Sequence, residues 1–209
     1  MVGKGFRVRS KRHSSLYLVK RFQFMISIFD AQQDMREAYY GGAPGVITSG
    51  AAWFIAGIVS YVVAGNAGMV ALIFGGMLIF PVSIVFCKLI GVSGKHNKEN
   101  PLAPLAMEGT FWMLLSIPIA VGAARYQLEW FFPAMLFVIG GRYLTFSTLY
   151  GNRVYWMLAG ALVASGWCLL ATEAPAFYGA FAGAAIEFIF GITLFVQEKR
   201  GRLNVRVVR

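Results

Sequence analysis

Six stretches of the chain are apolar over close to twenty positions each: residues 44–65, 68–90, 103–124, 130–150, 154–172 and 175–197. A helix rises about 1.5 Å per residue, so about 20 such residues cross the hydrocarbon core of a bilayer. Lipid offers no water to backbone N–H and C=O groups, so an open spanning segment must be helical. The chain reads as an all-α polytopic transmembrane bundle with six spans. Composition agrees, with 58% of the 209 residues hydrophobic and 13% charged. Soluble domains run near half and a quarter, so an ordinary soluble domain is excluded, and a disordered chain more firmly.

The connections are short: Gly65-Asn66-Ala67, the polar loop GVSGKHNKENP, Arg125 to Glu129, Gly151 to Arg153, and Thr172 to Ala174. Short connections make sequential spans antiparallel neighbours. The formal net charge is +10, from 19 Lys and Arg against 9 Asp and Glu. In a soluble protein that balance would point to nucleic acid. Here all the basic residues but Lys88, at the end of a span, and Arg142 are grouped outside the spans. Eight fall in residues 1–43, five from Lys199 to Arg209, Lys88, Lys95 and Lys98 flank one connection, and Arg153 sits in another. An even number of crossings puts these 17 on one side, leaving Arg125 opposite and Arg142 inside a span. Basic segments are retained in the cytoplasm and attract anionic lipid. Both termini are therefore expected to be cytoplasmic. The lipid bilayer is the expected partner, and no nucleic-acid role is assigned.

Residues 1–24 are basic, without a long apolar run or the cleavage site of a signal peptide. They read as a disordered or membrane-surface extension, and Met25 is an alternative start. Residues 27–40 read as a short helix, with Ser27 as its cap, Asp30 in its first turn and Gly41-Gly42 as its stop. Phe29, Gln32, Met35, Ala38 and Tyr39 share roughly one side. That suits a helix lying at the interface, or a soluble cap on the bundle. The resulting plan is an extension (1–24), an amphipathic helix (25–43), a six-helix domain (44–198) and a basic cytoplasmic tail (199–209).

Three ionisable side chains fall inside spans: Glu108 near the start of the third, Arg142 in the fourth and Glu187 in the sixth. A charge at a span's centre costs about 2.5–3.5 kcal/mol on insertion scales, so such residues face the bundle interior and find partners. The fourth and sixth spans run in the same direction, which places Arg142 and Glu187 at similar depth. They are expected to pair, with Glu108 as a second acceptor. The cluster either fixes which helices meet or lines a pathway for a proton, an ion, or an anion held by Arg142. Pairing would neutralise the charge a substrate needs, which favours the structural reading.

Small residues recur every four positions in three spans: Gly179, Gly183 and Gly191 about Glu187, then Ala52, Ala56, Ser60 and Ala64, then Gly160, Ala164 and Cys168. This spacing lets helices approach closely, and Gly140-Gly141 is a further candidate packing step. Trp53, Trp112 and Trp156 alternate with small-Gly steps as if hairpins repeated, but membrane helices are rich in both, so chance accounts for it. Pro81 and Pro118 lie deep enough to kink their helices, and Pro133 also interrupts a span. Trp130, Phe131 and Phe132 beside Glu129 read as an outer aromatic belt. Cys87 and Cys168 have no CxxC neighbour and read as packing residues, while His13 and His96 read as solvated.

No GxxxxGK[ST], HExxH or GxSxG motif occurs, and no span or loop collects metal ligands. No catalytic residue, metal, cofactor or enzymatic activity is expected. The strings GGAPGV at 41–46, NPL and EGTFWM within 100–113, WFFPAMLFVIGGRYLTF at 130–146 and the Glu187 region resemble a family of bacterial six-span membrane proteins classed as a domain of unknown function. The resemblance covers roughly residues 36–198. It implies a membrane location, here the bacterial cytoplasmic (inner) membrane, and supplies no activity or site residue. The reading adopted is a small structural or regulatory membrane protein with a buried Arg/Glu pair. The alternative is a small-solute or ion permease or channel using Arg142, Glu187 and Glu108, and its compact size suggests a homo-oligomer.

Overall fold

The computed structural model describes residues 28–207. The readings placed on residues 1–24, Met25, Ser27 and the last two residues lie outside that range. Among the described residues there is no strand. The helices are α1 (28–39), α2 (Ala43–Val62), α3 (Gly65–Leu89), α4 (Ala103–Tyr126), α5 (Phe131–Tyr150), α6 (Val154–Ala171) and α7 (Ala176–Val207). Six stretches are long and apolar enough to cross a membrane. α7 outruns its apolar stretch because Glu198, Lys199 and Arg200 are good helix formers that continue the turn into water.

The helices form two groups. α2 lies between α3 and α7, α5 lies between α4 and α6, and α7 joins the groups through α6 and α5. Sequential spans are neighbours except for α3 and α4, which do not pack on each other. Their connection, residues 90–102, docks on α1 instead. Both helices turn large apolar side chains outward, among them Phe74, Met77 and Phe80 on α3 and Phe111, Leu115 and Ile119 on α4. A bilayer would cover that surface.

The α2–α7 seam is a reciprocal fit of rings into glycine gaps. Methyl groups at Gly50 and Gly57 would lie 3.2 and 2.9 Å from the Phe188 and Phe181 rings of α7. Methyl groups at Gly183 and Gly191 would lie 2.7 Å from Trp53 and Ile47 of α2. Along the same small-residue face, Gly179 takes Phe132 of α5, a methyl there falling 2.6 Å from it. Gly140 meets Val163 and the Ala159 carbonyl of α6. Ala52, Ala56 and Ser60 are buried against Gly68 and Gly75 of α3.

Other small-residue readings are corrected. Gly160, Ala164 and Cys168 face outward on α6, and nothing lies within 4 Å of where a Gly160 or Gly141 side chain would be. α6 packs through the opposite stripe, Tyr155, Leu158, Ala159 and Leu162. Phe131 and Phe132 are not an interfacial belt. They are wholly buried, with Phe132 beside Trp53, and only Trp130 is exposed. Trp53 is core while Trp112 and Trp156 face outward, so the tryptophans mark no repeated hairpin. α3 and α4 continue as helices through Pro81 and Pro118.

α1 caps the end of the bundle that carries the 90–102 and 151–153 connections. Its inward stripe is Ala31, Met35 and Ala38, whereas Phe29 is 59% exposed. The stripe differs from the Phe29-led face because polar anchors set the helix's rotation. Asn100 Nδ2 donates to Ala31 O (2.9 Å) and Asp34 Oδ2 (2.6 Å), and Arg36 Nη1 donates to Tyr150 O (2.9 Å). His96 is not simply solvated, since its Nδ1 lies 2.7 Å from the Tyr39 hydroxyl. Between α1 and α2 the chain turns through three left-handed residues, Tyr40, Gly41 and Gly42, with φ of 52, 61 and 83°. A side chain at Gly42 would strike the Tyr155 hydroxyl, which donates to Gly41 O at 2.8 Å.

Candidate functional site

Consecutive residues of α5 reach opposite sides of that helix. Tyr143 faces α7 and Arg142 faces α4. Each residue turns a helix by about 100°, so neighbours in sequence cannot share a face. α5 and α7 are parallel, as the pairs Phe132–Gly179 and Tyr143–Glu187 both ascend in number. Glu187 therefore does lie at the depth of residues 142–143. Its partner, however, is Tyr143, whose hydroxyl donates to Oε1 at 2.8 Å. No Arg142–Glu187 pair exists. The salt bridge among the described residues is Arg202 Nε to Glu198 Oε1, 3.2 Å, at the end of α7.

Glu187 is 0% exposed and its Oε2 has no hydrogen-bond partner. Ser49 of α2, also buried, adjoins the carboxyl. One turn along α2, wholly buried Trp53 leaves its indole Nε1 unpartnered. Gly183 and Gly191, one turn either side of Glu187, are filled by Trp53 and Ile47, so the carboxyl is sealed by packed side chains.

Arg142 is half-buried on the other side. Its Nη1 approaches Met113 Sδ at 3.2 Å and its Nη2 donates to Thr110 Oγ1 at 3.3 Å. Its Cζ lies 5.3 Å from the centre of the Phe146 ring, and its Nε is buried without a partner. Glu108 does not join either group. It is exposed on α4, where the inward face is carried by Gly109, Ser116 and Ala120. Among the described residues no three His, Cys, Asp or Glu side chains gather as metal ligands.

Tyr143, Ser49 and Thr110 complete these environments. None had a sequence signal beyond adjacency: Tyr143 follows the intramembrane arginine, and hydroxyls are common in membrane helices. No curated protein and no solved structure matches the chain. A family model does match, over residues 28–197, and its description is a family of unknown function. The chain belongs to that family, DUF7010.

Proposed function

We propose that the protein is a small membrane permease in which Glu187 takes up and releases a proton. The observation that carries this is the Glu187 carboxyl itself: wholly enclosed, bonded through one oxygen, open at the other, and without a cation in ion-pair reach. A lone carboxylate is too costly to keep in a medium of low dielectric. Such a group stays enclosed with its proton on and loses it when a helix movement admits water, which is the elementary step of proton coupling. The structural reading rested on an Arg142–Glu187 pair. Without the pair, its remaining support is the tight packing of the α2–α7 seam. We read the protein as a non-enzymatic permease that works as a homo-oligomer.

The setting we infer is a bacterial cytoplasmic membrane with both termini inside. It is supported by Lys95, Lys98, Arg153 and Arg202, which share the end of the bundle that α1 caps. An inactive alkaline phosphatase fused after Arg209 is the expected result, and an active one reverses the orientation.

Infrared difference spectra of the purified protein in lipid, taken across a pH series, test the proton site. The expected result is a protonated-carboxyl carbonyl band that Glu187→Gln abolishes and Tyr143→Phe displaces. A spectrum in which Glu187→Gln removes only a carboxylate band at every pH overturns the proposal.

A further inference from the structure

We propose that Glu108 and Trp112, on the outward face of α4, bind the ammonium of an ethanolamine phospholipid at the membrane boundary. The inference is independent of Glu187 being a proton site.

Glu108 is a carboxylate within an apolar span, yet it turns away from the bundle. α4 packs through Gly109, Ser116 and Ala120, while Glu108 and Trp112 are both exposed. Among the described residues no cation comes within ion-pair reach of Glu108. A charge within a span normally finds a partner, and on this face the partner is what surrounds the helix.

Depth identifies those surroundings. A methyl at Gly109 would lie 3.3 Å from Thr145 Oγ1 of α5, so Glu108 sits near the level of Thr145. Thr145 is only about 7.5 Å along the axis from the end of α5 at Tyr150. Side chains on a helix lean toward its N-terminus. α4 starts at the end of the bundle that α1 caps, so the Glu108 carboxylate climbs toward the boundary with water. Trp112 follows by one turn on the same face, and its indole covers the turn directly beneath the carboxylate.

The pair defines the ligand. A carboxylate attracts a cation and accepts N–H hydrogen bonds, which such a charge strengthens. An indole face attracts a cation through its quadrupole. An ammonium between them satisfies both. A primary ammonium brings the N–H donors that a trimethylated one lacks, so ethanolamine is preferred to choline, and an anionic headgroup is repelled. The rest of the face is Met107, Phe111 and Leu115, all large, apolar and exposed. Helices that pack on one another in a membrane meet through small residues, whereas bulky ones suit acyl chains. That selects a lipid over a second copy of the chain.

The test is native mass spectrometry of the purified full chain in mild detergent, offered equimolar dioleoyl phosphatidylethanolamine, phosphatidylcholine and phosphatidylglycerol, which differ in mass. The same spectra read the oligomeric state. Highest occupancy by phosphatidylethanolamine is expected. Glu108→Gln should lower that preference about fivefold, the upper range for an exposed ion pair. Trp112→Leu should lower it about threefold. Glu99→Gln, in the 90–102 connection, should leave it unchanged. Equal occupancy by phosphatidylcholine, a preference for phosphatidylglycerol, phosphatidylethanolamine binding untouched by Glu108→Gln, or a dimer that Glu108→Gln dissociates would each overturn the proposal. The lipid comparison on the unmodified protein needs no variant to fold.

Discussion

At the scale of single residues, one helical step separates what the sequence allows from what the fold does. Depth in the membrane is legible, because parallel spans of similar length put residues 142 and 187 at one level. The face is not, because it depends on the rotation of α5, and that is set by the fit of Phe131, Phe132, Leu136 and Tyr143 into their neighbours. Glu187 thus meets a tyrosine in place of an arginine, and its stability consequences follow from a neutral hydrogen bond. Tyr143→Phe removes the hydroxyl that donates to a fully buried carboxyl, and losing a partner of such a group costs about 1–3 kcal/mol. Glu187→Gln keeps an acceptor for the Tyr143 hydroxyl at nearly the same volume. Thermal unfolding in mild detergent should rank wild type above Glu187→Gln and Glu187→Gln above Tyr143→Phe. The reverse order of the two variants would mean that the charge of Glu187 holds the fold.

At the scale of elements, hydropathy finds where lipid begins and ends, which is a different boundary from that of a helix. The span beginning at 103 and those ending at 150 and 171 coincide closely with it, because Gly, Pro or a polar turn sits at the membrane edge. α7 does not stop there, and the extension has work to do. Arg202 Nη2 donates to Arg36 O and Glu37 O, each at 3.2 Å, and its guanidinium lies 4.5 Å over the Tyr40 ring. It supplies donors to carbonyls at the C-terminal end of α1 that the helix itself leaves unpaired. No periodicity could place Arg202 on α1, since the contact joins segments far apart in the sequence. Arg202→Ala should raise amide hydrogen exchange in α1 severalfold and leave α2 and α5 protected. Equal protection of α1 in both proteins would show that Asn100 and Arg36 hold it unaided.

The same reasoning applies to the turn that joins α1 to α2. Gly42 combines a φ of 83° with a site where any side chain collides with Tyr155 and Tyr150. A Gly42→Ala variant pays backbone strain of about 1–2 kcal/mol before the collision is counted. It should melt lower than a Gly45→Ala variant, whose methyl meets open space. Equal melting of the two would mean that the Tyr150–Tyr155 stack yields at no cost.

At the scale of the molecule, the first and last spans make the seam that closes the bundle, while the middle of the chain, between α3 and α4, is held by little helix-to-helix contact. Six spans could be counted from apolar length. The order around the bundle could not, because a stripe of small residues marks a packing face without naming the helix that fills it. That order has a direct consequence. The connection between α3 and α4 lies outside the seam, so breaking the chain between Lys98 and Glu99, both exposed, leaves the ring-into-glycine contacts of α2 with α7 intact. The two fragments, co-expressed, should reassemble and copurify. Asn97 stays with α1 on one fragment, and Asn100 returns from the other to Ala31 and Asp34. Gly183→Leu in the second fragment drives a branched side chain into Trp53, an overpacking that typically costs about 1–3 kcal/mol in an intact core. Reassembly must also offset the lost translational freedom of two fragments, so that cost should suffice to abolish copurification. Gly160→Leu, on the outward face of α6, should leave it unchanged. Fragments that copurify equally with either substitution would place the strongest joint elsewhere than α2 and α7.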